Sequence, residues 1–390
     1  MDITRTAFGT WSGGRFMHFG EPVSDDRFLN LIRHAYVHGI RTFMTADVYG
    51  LGQADEMLGR ALDGLARDTY CLVGMVGHDI YPGKRDGSKG YLRFTDPTLR
   101  KPSEFLDYLK MAVEKQLQRC RATKLDVLLL HNPDSTGYSS PAVWKAMEKL
   151  IDAKLTDRVG IAPGPANGFT LDIIQCFERF SGLVTRAMII LNPLEPWPGL
   201  MCLPAAQKHG MKLITRVVDY GGLFHDDVKP GHQFGYGDHR TFRPAGWVDG
   251  GNQRMDRMRD FAHKHNLTML QLACLWNLSH APVENVVPTL IQEVGPNAKP
   301  IEIKVDELGA VGIDARLKDF KFDDDERRQI LDIGNNKGCM ELKGGNPSHT
   351  GEPLPDRWPL NDELLQIAQR WDIKPQEDLV CTHHTAKAAA

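Results

Sequence analysis

The chain lacks a charge imbalance, long apolar runs and paired cysteines, and each absence removes a class of function. Lys and Arg number 47 against 50 Asp and Glu, a formal net charge of -3, so no whole-surface field exists to attract nucleic acid or an anionic membrane. A small molecule is the expected partner. No stretch stays apolar for the roughly 20 residues that a bilayer-spanning helix needs, and Met1 to Gly9 lacks the basic-then-apolar pattern of a secretory signal. A cytoplasmic protein without membrane contact is expected. The seven cysteines (Cys71, Cys120, Cys176, Cys202, Cys274, Cys339, Cys381) are scattered, form no CxxC pair and have no histidine at metal-ligand spacing. This argues against a disulfide framework and a structural zinc site, and no metal-binding residue is expected. There is no fixed-period repeat and no linker, so the 390 residues should share one large core.

What is present is an alternation of short apolar, β-branched runs with longer amphipathic ones, the sequence form of a parallel sheet wrapped by helices. Strands are expected at Thr6–Trp11, Ile40–Thr45, Tyr70–Val76, Leu125–Leu130, Val159–Ala162, Arg186–Leu191, Lys212–Val218 and Asn285–Pro288. Helical spacing falls at Asp25–His38, Phe105–Leu117, Val143–Ile151, Leu171–Phe177 and Leu267–Leu278. Alternation repeated eight times predicts an α/β fold, the (β/α)8 TIM barrel, over residues 1–311. Residues 312–390 are expected as a C-terminal extension packed on it, with helices at Asp324–Leu331 and near Asn361–Arg370 and a Gly-rich turn at Lys343–Asn346. Two long loops, Gly77–Lys101 and Tyr220–Gly251, follow the third and seventh strands and should build the catalytic face.

The run Phe43-Met44-Thr45-Ala46-Asp47-Val48-Tyr49-Gly50, followed by Glu56-Met57-Leu58-Gly59-Arg60-Ala61-Leu62, resembles the aldo-keto reductase superfamily. So do Leu125 to Asp134, with a histidine after the fourth strand, and Gln271-Leu272-Ala273 with Trp276. The resemblance spans roughly residues 1 to 310 and implies an enzyme in which a Tyr, aided by Asp, Lys and His, protonates a substrate carbonyl while NADPH delivers hydride. Tyr49 and His131 match the family's tyrosine and histidine. Met44 and Met75 stand where the aspartate and lysine would be, a matched loss, since one charge kept alone would be buried unpaired. Thr10 and Arg216 are the positions the resemblance assigns to NADP(H). Elsewhere the family's grip is altered: Ala162-Pro163 stands where many members carry a Ser-Asn pair, and Pro288 to Glu293, with a longer insertion, stands where the family has a glycine turn and an Arg-bearing helix start.

Trp11 ends the first strand, His78, Asp79, Asn132, Asn192, Glu195, Trp197 and Asp219 follow later ones, and all are expected to surround the mouth as substrate-binding residues. Trp197 reads equally as a loop anchor, and Gly237-Asp238-His239-Arg240 as a structural loop. The expected function is an NADP(H)-linked oxidoreductase acting on a polar carbonyl, hydroxyl or sugar-like small molecule. The alternative is a nicotinamide-independent lyase, isomerase or hydrolase using Tyr-His acid-base chemistry. A purely binding barrel is disfavoured because it gives no reason for Tyr49 and His131 to match one constellation.

Overall fold

The structure, a computed structural model, describes residues 1–85, 90–164, 169–243, 245–337 and 360–379. Its centre is one parallel sheet of β1 (Ala7–Gly9), β2 (Thr42–Ala46), β3 (Cys71–Val76), β4 (Val127–His131), β5 (Val159–Ala162), β6 (Val184–Ile190), β7 (Lys212–Arg216) and β8 (Val283–Val287). The eight strands pair in chain order. Each falls on one of the runs expected to be a strand. The sheet curls until its edges meet at a parallel bridge between Thr6 and Val286, where the Val286 N–H donates to the Arg5 carbonyl over 2.9 Å. The result is a (β/α)8 barrel.

Around it lie α1 (Asp25–Val37), α2 (Gln53–Leu62), α3 (Phe105–Arg119), α4 (Ser135–Ser139), α5 (Pro141–Asp152), α6 (Thr170–Phe180) and α7 (Leu203–Lys208). The ring continues with α8 (Trp247–Lys264), α9 (Met269–Leu278) and α10 (Ile301–Ile313). Local chemistry sets their ends. Ser24 caps α1 by accepting from the Arg27 N–H, with Asp25 and Asp26 in the first turn facing the positive end of the dipole. Thr268 and Gln271 close a reciprocal capping box on α9. Gly59 of α2 has a packing reason: a Cβ there would sit 2.4 Å from the Arg119 carbonyl oxygen, so only glycine lets α2 and α3 approach this closely.

Strands covered on both faces need apolar residues in both directions, and β3 is buried throughout. Alternate residues feed two cores. Phe8, Phe43, Leu72, Leu128 and Leu130 face the helices, whereas Ala7, Met44, Ala46, Val73, Met75, Leu129, Met188, Ile214 and Val287 fill the barrel. Met44 and Met75 thus lie inside the barrel, with Tyr49 packed against the upper edge of that inner cluster.

Of the C-terminal part, α11 (Asp324–Gly334) packs on α8, and α12 (Asp362–Arg370), followed by α13 (Pro375–Asp378), packs on α6. Helix α10 crosses the expected division at 311/312 and ends at Ile313. The expected turn at Lys343–Asn346, with Cys339 and Cys381, lies outside the described residues. The five described cysteines are buried thiols. Among the described residues no helix is long and apolar enough to cross a membrane.

Candidate active site

Four rings meet in succession at the C-terminal ends of β1 to β4. Trp11 lies edge-on to Tyr49 with centroids 6.0 Å apart, Tyr49 to His131 at 5.7 Å, and His131 to His78 at 5.2 Å. The backbone makes this possible. The Trp11 indole lies against Gly9, where a Cβ would be 2.4 Å from the ring, so any larger residue would expel it. Tyr49 opens the turn between β2 and α2, and His131 is the last residue of β4.

Hydrogen bonding fixes the state of His78. Arg93 approaches its Nδ1 at 3.0 Å, and a guanidinium only donates, so Nδ1 accepts and the proton sits on Nε2. Nε2 is 3.0 Å from the Asn132 side-chain amide, whose oxygen must therefore turn toward it. Burial, reinforced by Arg93, pushes the His78 imidazole down to about 3. Burial also holds His131 well below the usual histidine range, with His78, Arg93 and Arg216 adding to the effect. Both imidazoles are neutral around pH 7. The Tyr49 phenol is pushed up to about 12 by burial, opposed by Arg216 and reinforced by Asp47. It is a proton donor at neutral pH, and Arg216 is the cation that favours its ionised form.

The opposite half of the mouth is charged. Arg216, at the end of β7, donates through Nη2 to the Pro163 carbonyl at 3.3 Å and also to the Gly164 carbonyl. Glu195 is buried and electrostatically coupled to both Arg216 and Arg243. Arg243 is 6% exposed, lies over the Tyr220 and Trp247 rings at 4.8 and 4.4 Å, and has no hydrogen-bond partner at Nη1 or Nη2 among the described residues. Burial pushes it down to about 10 against the pull of Glu195 and Asp219.

Several of the expected site residues hold contacts within the protein. The Thr10 hydroxyl donates to Thr45 at 3.1 Å, which donates to Asp55 at 2.7 Å, a chain that ties β1 to β2 and α2. Asp79 pairs with Arg100 at 2.7 Å. Asn192 accepts from the Leu194 and Glu195 N–H groups at 2.9 and 2.8 Å and donates to the Val217 carbonyl at 3.0 Å, bracing a β-branched residue whose φ is 59°. Trp197 is the loop anchor of its two readings, with its indole N–H donating to the Asp378 carbonyl at 2.7 Å. Asp219 accepts from the Thr289 and Gly222 N–H groups at 2.7 and 2.8 Å. It thereby fills the corner after β7 and β8 where barrels of this kind often hold phosphate.

Arg240 is similarly spent, held by Asp238 at 2.7 Å and by Glu293 at 3.0 Å. Glu293 is thus a counter-ion to Arg240. The residues missed in the sequence are Arg93, which sets His78, and Arg243; the only available signal for Arg243 was a second arginine three residues after Arg240.

The family model for the Aldo/keto reductase family matches residues 5–299. The chain belongs to the aldo/keto reductase family. As a member, it is an enzyme of the oxidoreductase type, with the reaction left open by the match. It is 24% identical over 337 residues to the versiconal hemiacetal acetate reductase of Aspergillus parasiticus, covering 80% of this chain and 89% of that one. It is 22% identical over 280 residues to the D-threo-aldose 1-dehydrogenase of a Pseudomonas species, covering 68% and 79%. Among solved structures, the glycerol dehydrogenase of Gluconobacter oxydans superposes with a TM-score of 0.64 at 21% identity, covering 86% and 94%. An aldo/keto reductase from Klebsiella pneumoniae, solved with NADP and acetate, superposes at 0.56 and 18%, covering 85% and 95%. These structures share the barrel fold with this aldo/keto reductase.

Residues for an anionic dinucleotide are present in an altered form. The orphaned Nη1 and Nη2 of Arg243 and the half-buried Arg216 offer positive charge, whereas the N–H groups of Gly222 and Thr289 are occupied by Asp219. The set fits NADP(H) through two arginines.

Proposed function

We propose that this aldo/keto reductase interconverts a carbonyl and a hydroxyl on a polar or sugar-like small molecule, linked to NADP(H). The observation that carries the reading is the edge-to-face contact of Tyr49 and His131 at the strand ends, with Arg216 electrostatically coupled to the phenol. The aldose and glycerol named for two relatives support the substrate class.

Arg243 and Arg216 would hold the cofactor's negative charge. When bound, nicotinamide supplies or accepts the hydride. Tyr49 donates its hydroxyl proton to the substrate oxygen as that oxygen gains charge, and Arg216 stabilises the phenolate left behind. The neutral His131 orients the same oxygen by hydrogen bonding. Trp11 covers one side of the substrate and limits water around the reacting oxygen. With Met44 and Met75 in place of an ion pair, Arg216 carries the activation alone.

The test follows NADPH and NADH absorbance with short polyols, aldoses and polar aldehydes. Tyr49→Phe should lower turnover by about 10²- to 10⁴-fold, the usual size of general acid-base catalysis, with an unchanged melting temperature. Turnover that persists without any nicotinamide, and is still abolished by Tyr49→Phe, would replace this reading with acid-base chemistry alone.

A further inference from the structure

We propose that His34, His38 and Asp306 bind a divalent first-row transition ion that staples α1 to α10 across the barrel seam. His34 lies in the last turn of α1 and His38, four residues on, is its C-cap, and Asp306 lies against them on α10. The rings stack with centroids 3.9 Å apart at 29°. His34 Nε2 is 2.7 Å from Asp306 Oδ1, and His38 Nε2 is 3.7 Å from the same oxygen. One donor atom from each residue lies within 4.8 Å of the other two.

His38 has the tautomer that coordination needs, whereas His34 Nε2 would give up the proton it shares with Asp306. His38 Nδ1 lies 2.8 Å from the His34 carbonyl, which only accepts, so Nδ1 carries the proton and Nε2 keeps its lone pair toward the cluster. Two imidazole nitrogens and one carboxylate oxygen suit Zn²⁺, Ni²⁺ or Cu²⁺ and leave a fourth position for water. Calcium and magnesium prefer an all-oxygen shell.

The position gives such an ion a role. Strands β1 and β8 meet at the single Thr6–Val286 bridge among the described residues, so closure relies on neighbouring contacts such as the Arg27–Glu302 pair between α1 and α10, at 2.9 Å. A metal link at the other end of α1 would hold the same joint. This site lies on the helical ring and does not rest on the reading of Tyr49 and His131.

The experiment uses the full chain carrying His383→Ala and His384→Ala, so that the terminal histidines do not contribute. Zinc chloride is titrated by calorimetry, melting temperature is read with zinc and then EDTA, and Co²⁺ is followed by visible absorption. One-to-one zinc binding with a Kd on the order of micromolar is expected, with a rise of about 3–5 °C reversed by EDTA. Tetrahedral Co²⁺ should give intense visible bands. His38→Gln should weaken zinc at least tenfold and abolish the rise while leaving the metal-free melting temperature in place, and Asp306→Asn should act in the same direction. No binding at millimolar zinc, or the same affinity and stoichiometry in His38→Gln, would overturn the site.

Discussion

Replacing Arg243 with methionine removes a buried charge while retaining much of the apolar stem, and its effects on folding and on ligand binding should differ in size. On the folding side, two cation–π contacts at 4.8 and 4.4 Å are lost, each worth about 0.5–1 kcal/mol. Against this, two buried guanidinium nitrogens without partners no longer need to be desolvated, a relief of about 1–3 kcal/mol each. Glu195 and Asp219 lose a counter-charge, which cancels part of the relief. The net change should stay within about 1 kcal/mol, a shift in melting temperature of no more than about 2–4 °C. On the binding side, charge-assisted bonds to a phosphate contribute about 1.5–3 kcal/mol, so NADPH should bind roughly 10- to 100-fold more weakly. Titration of NADPH followed by the protein's tryptophan fluorescence reads this; Trp247, beneath the guanidinium, is one of seven emitters. The wild-type affinity should itself be weaker than submicromolar, because Asp219 and Glu293 occupy the other donors at β7 and β8. An unchanged Kd together with a loss of more than about 3 kcal/mol of stability would refute the reasoning and make Arg243 a structural counter-ion.

Stability should fall as pH drops from about 6.5 toward 4, because burial depresses His131, His225, His78 (to about 3) and His280 (to about 4). The unfolded chain then binds protons first, at about 1.4 kcal/mol per pH unit for each histidine. Asp55, pushed up to about 6 by burial, opposes this, since its folded form gains the proton first. Urea melts between pH 7.5 and 4.5 should show the decline, with a smaller slope in His280→Gln; a flat profile contradicts it. Lys304→Met should cost about 3–5 kcal/mol, because Lys304 and Asp227 are both fully buried and pair at 2.6 Å. Denaturant melts measure the loss, and adding Asp227→Leu should recover part of it; a Lys304→Met protein as stable as the parent would show that the pair carries no such weight.

Period and strand chemistry made the barrel legible, since β3 reads Cys-Leu-Val-Gly-Met-Val and is buried on both faces as such a run requires. Helix α8 was not legible. Its segment carries Gly250 and Gly251 and buries only a sparse set that includes Met255, Met258 and Ala262, so its apolar stripe is thin and the expected loop was drawn through to Gly251. At the mouth, Tyr49 and His131 could be named because each lies within a recognisable motif. The state of their neighbours could not. Whether Asp79, Asp219 or Glu293 faces a ligand depends on Arg100, Thr289 and Arg240, each at least 21 positions away in the chain. Likewise, the four-residue spacing of His34 and His38 is visible in sequence, whereas Asp306 joins them only when the barrel closes.

The carboxylate of Asp219 makes the corner after β7 and β8 a site with a resident competitor. Because it is tethered, its effective concentration there is on the order of millimolar or higher. An incoming anion must exchange with it rather than fill an empty cradle. Since burial pushes the Asp219 carboxyl up, displacing it from its two N–H partners favours its neutral form, and anion entry would draw in a proton. The affinity of an anion for this corner would therefore be coupled to acidity, because the chain already holds there, as a covalent part of itself, a charge of its own.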